Sequence, residues 1–89
     1  MLFAFDPAKD KANKAKHGLS LAPAMELEWD WALVWVDDRF DYDEQRLNAL
    51  VPRQGSLYFV TFVDRGRARR IISLRPATRR EVETYEELE

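Results

Sequence analysis

The chain has no cysteine, a single histidine and only three glycines among its 89 residues, and each shortage closes off a class of protein. Without cysteine there is neither a disulfide framework nor a thiolate metal site, which suits a reducing cytoplasm. One histidine with no thiolate is a poor donor set for zinc. Isolated glycines make no cofactor-binding phosphate loop. No apolar run approaches the roughly 18 residues that a membrane span needs. Asp6 follows Met1-Leu2-Phe3 too closely for a signal peptide. Acidic residues are also missing from one long stretch, Arg65 to Arg80.

What is present is a chain for one small domain, residues 1–89, with 46% hydrophobic and 12% aromatic residues, a composition that folds rather than stays disordered. The net charge of −2 conceals segregation. Residues 26–45 hold eight acids against Arg39, and residues 46–80 hold nine arginines against Asp64. Seven of the arginines fall between Arg65 and Tyr85. Binding follows the local field of such a patch rather than the total charge. The patch can meet RNA, a partner protein or the chain's own acids.

Asp6-Pro7 predicts a helix start, with Asp6 as the cap and Pro7 at the first position, where its missing N–H costs nothing. Gly18 predicts the stop after His17. Ala8, Ala12, Ala15 and Leu19 form an apolar stripe that would seat this helix on a sheet, with Lys9, Asn13 and Lys16 beside it. Ser20 could cap a second helix through Glu28. Strands are expected at Leu2–Phe5, Trp31–Val36, Arg46–Val51 (ended by Pro52), Leu57–Val63 and Arg67–Arg75, the last two joined at Asp64-Arg-Gly66. Thr78 and Glu81 fit a capping box for a final helix bearing Val82, Tyr85 and Leu88. The expected fold is α+β, with a small antiparallel sheet of four to five strands. Two N-terminal helices and one C-terminal helix would pack on one of its faces.

Alternation along a strand puts Arg67, Arg69, Ile71, Ser73 and Arg75 on one face and Arg70, Ile72 and Leu74 on the other. His17, in the last helical turn, can be a structural cation at the negative helix end or a proton carrier. Asp37, Asp38, Asp41 and Asp43 could recruit a hard cation, but such clusters more often form a solvated loop. Trp29, Trp31, Trp35, Tyr58, Phe59 and Phe62 read as core rather than as stacking platforms. Physical reading alone ends at a small α+β domain with a basic sheet.

Three groups of residues go further. They are Phe5-Asp6-Pro-Ala-Lys9 with Asn13 and Lys16-His17-Gly18-Leu-Ser20; Asp38-Arg with Tyr42, Glu44 and Arg46; and Arg70-Ile-Ile-Ser73-Leu-Arg75-Pro-Ala-Thr78 with Glu81 and Tyr85. With them the chain resembles the BrnT family of bacterial type II toxins over nearly its whole length. The resemblance implies a RelE-like fold and a cytoplasmic ribonuclease that arrests translation without metal or cofactor. It also implies neutralisation by a ribbon-helix-helix antitoxin, through which alone the complex would meet operator DNA. By the same resemblance, Arg70 and Arg75 would stabilise the phosphate in the transition state, and Lys16 and His17 would share the acid and base roles. Lys9, Asn13, Arg46 and Arg69 would position RNA. Ala4-Phe5 stands where the family usually has Glu-Trp, and Leu74 where it has a small residue. The alternative is therefore a catalytically weakened module that serves mainly as antitoxin-binding partner and co-repressor. Joint action of Arg70 and Arg75 requires a bulge, or that Arg75 lie past the regular strand.

Overall fold

The computed structural model describes residues 1–39 and 43–88, so Asp41 and Tyr42 of the expected acidic loop lie outside the described residues. Helix α1 spans Pro7–His17. The Ala8 N–H donates to Asp6 Oδ1 at 2.7 Å. Gly18 closes the helix at φ 74° and donates its N–H to the Lys14 carbonyl, so both expected signals operate. Helix α2, Arg79–Leu88, starts with the anticipated reciprocal cap. The Thr78 N–H donates to Glu81 Oε1 at 2.8 Å and the Glu81 N–H donates to Thr78 Oγ1 at 3.2 Å.

Between the helices lie β1 (Leu2–Ala4), β2 (Leu33–Asp37), β3 (Arg46–Arg53), β4 (Ser56–Arg65) and β5 (Ala68–Pro76), in the spatial order β1-β5-β4-β3-β2. The β3–β4 and β4–β5 connections are two-residue hairpins. Gln54 and Gly55 have φ of 47° and 83°, the two positive values of a type I′ turn, whereas Gly66 alone is positive, at 57°, before Arg67. β3 runs through Pro52 instead of ending there. The Pro52 carbonyl accepts from the Glu28 N–H at 2.9 Å, so the nitrogen of Pro52 faces away from β4 and no ladder bond is lost.

The sheet is mixed, which corrects the all-antiparallel expectation: β1 pairs parallel with β5, Ala4 opposite Arg70. Three residues carry no signal of strand direction, and the long excursion through β2–β4 decides it. There is no second N-terminal α-helix either. Pro23 and the short apolar run around it form two 3₁₀ turns, Ala22–Glu26 and Trp29–Trp31, and neither turn has a side-chain cap.

Those turns cover one face of the sheet. Leu21, Ala24 and Leu27 pack there with Ala49, Val51, Val60, Phe62, Ile71 and Leu74, and Trp29 joins them. The Trp29 Nε1–H donates to the Ala24 carbonyl at 2.8 Å, which fixes the turn on the core. The alanine stripe of α1 does not do this work: Ala8, Ala12 and Ala15 are exposed, and Asn13 is the buried residue of the helix. β1 pairs with β5 only as far as Arg70. Beyond that point the Asn13 side chain takes the place of a neighbouring strand. Its amide donates to the Leu74 carbonyl at 2.7 Å and accepts from the Leu74 N–H at 3.1 Å. The second amide hydrogen goes to the Leu19 carbonyl at 2.9 Å.

A bulge overturns the simple alternation along β5. Thr61 pairs with Ser73 but Phe62 pairs with Ile71, so Ile72 is the extra residue. Ile71 and Leu74 therefore face the same core, although three positions separate them. Arg70, Ser73 and Arg75, opposite Val63, Thr61 and Phe59, all project from the other face.

Candidate functional site

The face opposite the core carries a cleft of about 390 Å³ between α1 and the sheet, whose charged walls include Lys9, Lys16, His17, Arg46 and Arg75. α1 contributes Lys9 and Lys16 because seven positions return nearly to one side of a helix. A second cleft holds Arg70 and shares Lys9, Arg46 and Ile72 with the first, so the two make one continuous groove. The bulge is what brings both arginines to it. Arg70 is half-exposed and lies 3.8 Å from the Asp6 carboxylate. Asp43 and Glu44 also line that end.

Arg75 is held from several sides in the groove. Its guanidinium carbon lies 4.2 Å from the centroid of Phe59, its direct neighbour across the strands. Nη1 and Nη2 donate to Glu81 Oε1 and Oε2 at 2.8 and 2.9 Å, and Nη1 also reaches the Pro76 carbonyl. Glu81 thus caps α2 and holds Arg75 with one carboxylate. The paired guanidinium, followed by the Thr78 N–H, keeps the Glu81 carboxyl below its ordinary value of 4.5. Its contribution to stability is present above about pH 4.5 and is lost as pH falls through the lowered value. These bonds leave the Nε–Nη2 edge of Arg75, a second fork, for an oxyanion.

His17 is half-buried at the end of α1. A helix C-terminus favours imidazolium, yet the net shift runs the other way. Burial first, then Lys16 and Arg75, push its pKa below 6.5. The ring is therefore predominantly neutral at pH 7 and can accept a proton.

Two of the expected RNA-positioning residues are engaged within the fold. Asn13 borders the cleft, but all its donors go to backbone carbonyls, so it is a structural clamp. Arg69 is on the far face, sandwiched between Trp29 and Phe62 with its guanidinium carbon 4.6 and 4.3 Å from their centroids. It also pairs with Asp64 at 2.8 and 2.9 Å. Arg69→Ala should lower stability by about 1–2 kcal/mol and leave RNA cleavage per folded molecule unchanged. Thermal unfolding beside a cleavage assay checks this, and a cleavage defect without destabilisation would return Arg69 to the site.

Three features of the groove escaped the sequence reading. Asp37 is buried, not solvated, and accepts from Arg39 Nε and Nη2 at 2.8 and 3.0 Å. Asn48 and Thr61 are buried beneath the groove, with the Thr61 hydroxyl donating to Asn48 Oδ1 at 2.8 Å. Phe59 supports Arg75 instead of filling the core. The only clue to the second feature was one polar residue in each of two apolar strands, Leu47-Asn48-Ala49 and Val60-Thr61-Phe62.

No curated protein matches the chain. Residues 5–81 match the family model described as the ribonuclease toxin BrnT of type II toxin-antitoxin systems. The chain belongs to that family, so its context is a ribonuclease toxin with RNA as substrate and an antitoxin as partner.

Proposed function

We propose that this BrnT-family chain is a metal-independent endoribonuclease of the cytoplasm that inhibits translation and is neutralised by a ribbon-helix-helix antitoxin. The observation that supports it best is the convergence of Lys9, Lys16, Arg46 and Arg75 on a neutral-leaning His17 in one cleft. Cations on fixed elements suit the extra negative charge of a phosphoryl-transfer transition state.

In this mechanism His17 accepts the proton of a ribose 2′-hydroxyl as its oxygen forms a bond to the adjacent phosphorus. The P–O5′ bond breaks, and the Lys16 ammonium donates a proton to the departing oxygen. The products are a 2′,3′-cyclic phosphate and a 5′-hydroxyl. The unoccupied fork of Arg75 stabilises the equatorial oxygens, and Arg70, Lys9 and Arg46 hold the flanking backbone. Buried Asp37, engaged by Arg39, lines the same cleft.

The test uses purified chain, single-stranded RNA and a metal chelator. Cleavage should persist, leave cyclic phosphate ends and stop when the nucleotide 5′ of the scissile bond is 2′-deoxy. The rate should rise with pH on an acid limb centred below 6.5, the range to which His17 is shifted, and His17→Ala should remove that limb. Cleavage of the 2′-deoxy substrate, or dependence on added metal, would refute the mechanism. In cells, induction without the antitoxin should arrest growth.

A further inference from the structure

Trp35 stands opposite Asn48 in β2, and Asn48 lies beneath the groove with Thr61. This places the indole on the groove face. It remains 39% exposed, an unusual position for so large an apolar side chain among otherwise satisfied neighbours. Its ring meets the Phe59 ring edge-on, with centroids 5.7 Å apart and planes at 71°, and Phe59 carries the Arg75 guanidinium on its other flank. Across the sheet the sequence is indole, phenyl, guanidinium. Phosphate and base are joined through a sugar in a nucleotide, and the same order of anionic and aromatic partners is met here by one row of side chains.

We infer that Trp35 is a stacking platform for an unpaired nucleobase of the RNA strand whose phosphate rests on Arg75. The inference rests on the proposed nuclease reading and adds to it the region beyond the reacting phosphate. Stacking uses the π-face that every base possesses, so the platform favours single-stranded over paired RNA without demanding one sequence. The row ending on Arg75, which keeps one edge for phosphate, selects RNA over protein as occupant. Trp35 adjoins the cationic groove through Phe59, whereas Val34 and Val36, also exposed, point from the opposite face of the strand. Phe59 holds the indole edge-on, so the ring is oriented before RNA arrives.

The experiment measures binding of a 2′-O-methyl oligoribonucleotide, which cannot be cleaved through its 2′-oxygen, to the full chain by fluorescence anisotropy. Trp35→Ala should weaken single-strand binding about 5- to 100-fold, while Trp35→Phe should stay close to wild type. Inorganic pyrophosphate should compete equally with all three proteins, because the cations are untouched. An oligonucleotide with one abasic site at the stacked position should bind wild type as weakly as the intact strand binds Trp35→Ala. If Trp35→Ala binds the intact strand as tightly as wild type, the inference is overturned and the nuclease reading stands. If the variant instead loses only its complex with the antitoxin, the indole is a protein anchor and the inference is equally overturned. Wild-type chain that binds no oligonucleotide removes both readings.

Discussion

Arg75→Ala is expected to slow RNA cleavage by roughly 100- to 1,000-fold, the scale associated with removing one preorganised donor from a developing oxyanion. Arg75 combines three properties that an alanine erases. It lies over Phe59 at 4.2 Å, it is held through two hydrogen bonds to Glu81, and it retains a second edge for phosphate. Arg75→Lys should recover little, because a point charge cannot pair with a carboxylate and a phosphate through two forks. Glu81→Gln separates holding from contact. It keeps the guanidinium but loses the charged partner and weakens the cap on α2, so cleavage should fall less than in Arg75→Ala. Single-turnover cleavage, normalised to folded protein by circular dichroism, reads these differences. Arg75→Ala activity within a few-fold of wild type would show that the reacting phosphate lies elsewhere in the groove.

The same residue marks how far the sequence could be read. Lys9, Lys16, His17, Arg46 and Arg75 are all singled out by the motif resemblance, and the structure places them around one cleft. The signals at helix ends are local, one side chain answering a backbone group a few positions away, and so Asp6, Gly18, Thr78 and Glu81 act as read. The relation between Arg70 and Arg75 is not local. It depends on a bulge at Ile72, and Arg70-Ile-Ile-Ser73 contains neither a glycine nor a proline to announce one. Strict alternation therefore separated two arginines that share a face, and joined Arg69 to Arg75 when they lie on opposite faces. The 3₁₀ turns escaped for a related reason. Proline in a short apolar run is compatible with a helix start, and only the packing of Leu21, Ala24 and Trp29 on the sheet selects the tighter turns.

Asn13→Leu is expected to be the most destabilising of the single changes considered, although the two side chains are similar in size. In the wild type one amide satisfies three backbone groups: the Leu74 N–H, the Leu74 carbonyl and the Leu19 carbonyl. Leucine leaves all three without their partner at a site where Asn13 is only 5% exposed. An unsatisfied buried polar group costs about 1–3 kcal/mol, so the three together cost roughly 3–9 kcal/mol. That is a large share of the about 5–15 kcal/mol that stabilises a typical small domain. A loss of this size lowers the melting temperature by well over 10 °C for a domain of this length, or abolishes cooperative unfolding altogether. Asn13→Asp should fail nearly as badly, since a carboxylate keeps the acceptor for Leu74 but brings negative oxygens against two carbonyls. Thermal unfolding followed by circular dichroism distinguishes this clamp from a substrate contact. A substrate ligand would leave the melting temperature in place and raise KM. A clamp does the reverse, because what Asn13 binds is the edge of β5 at Leu74, the residue next to Arg75.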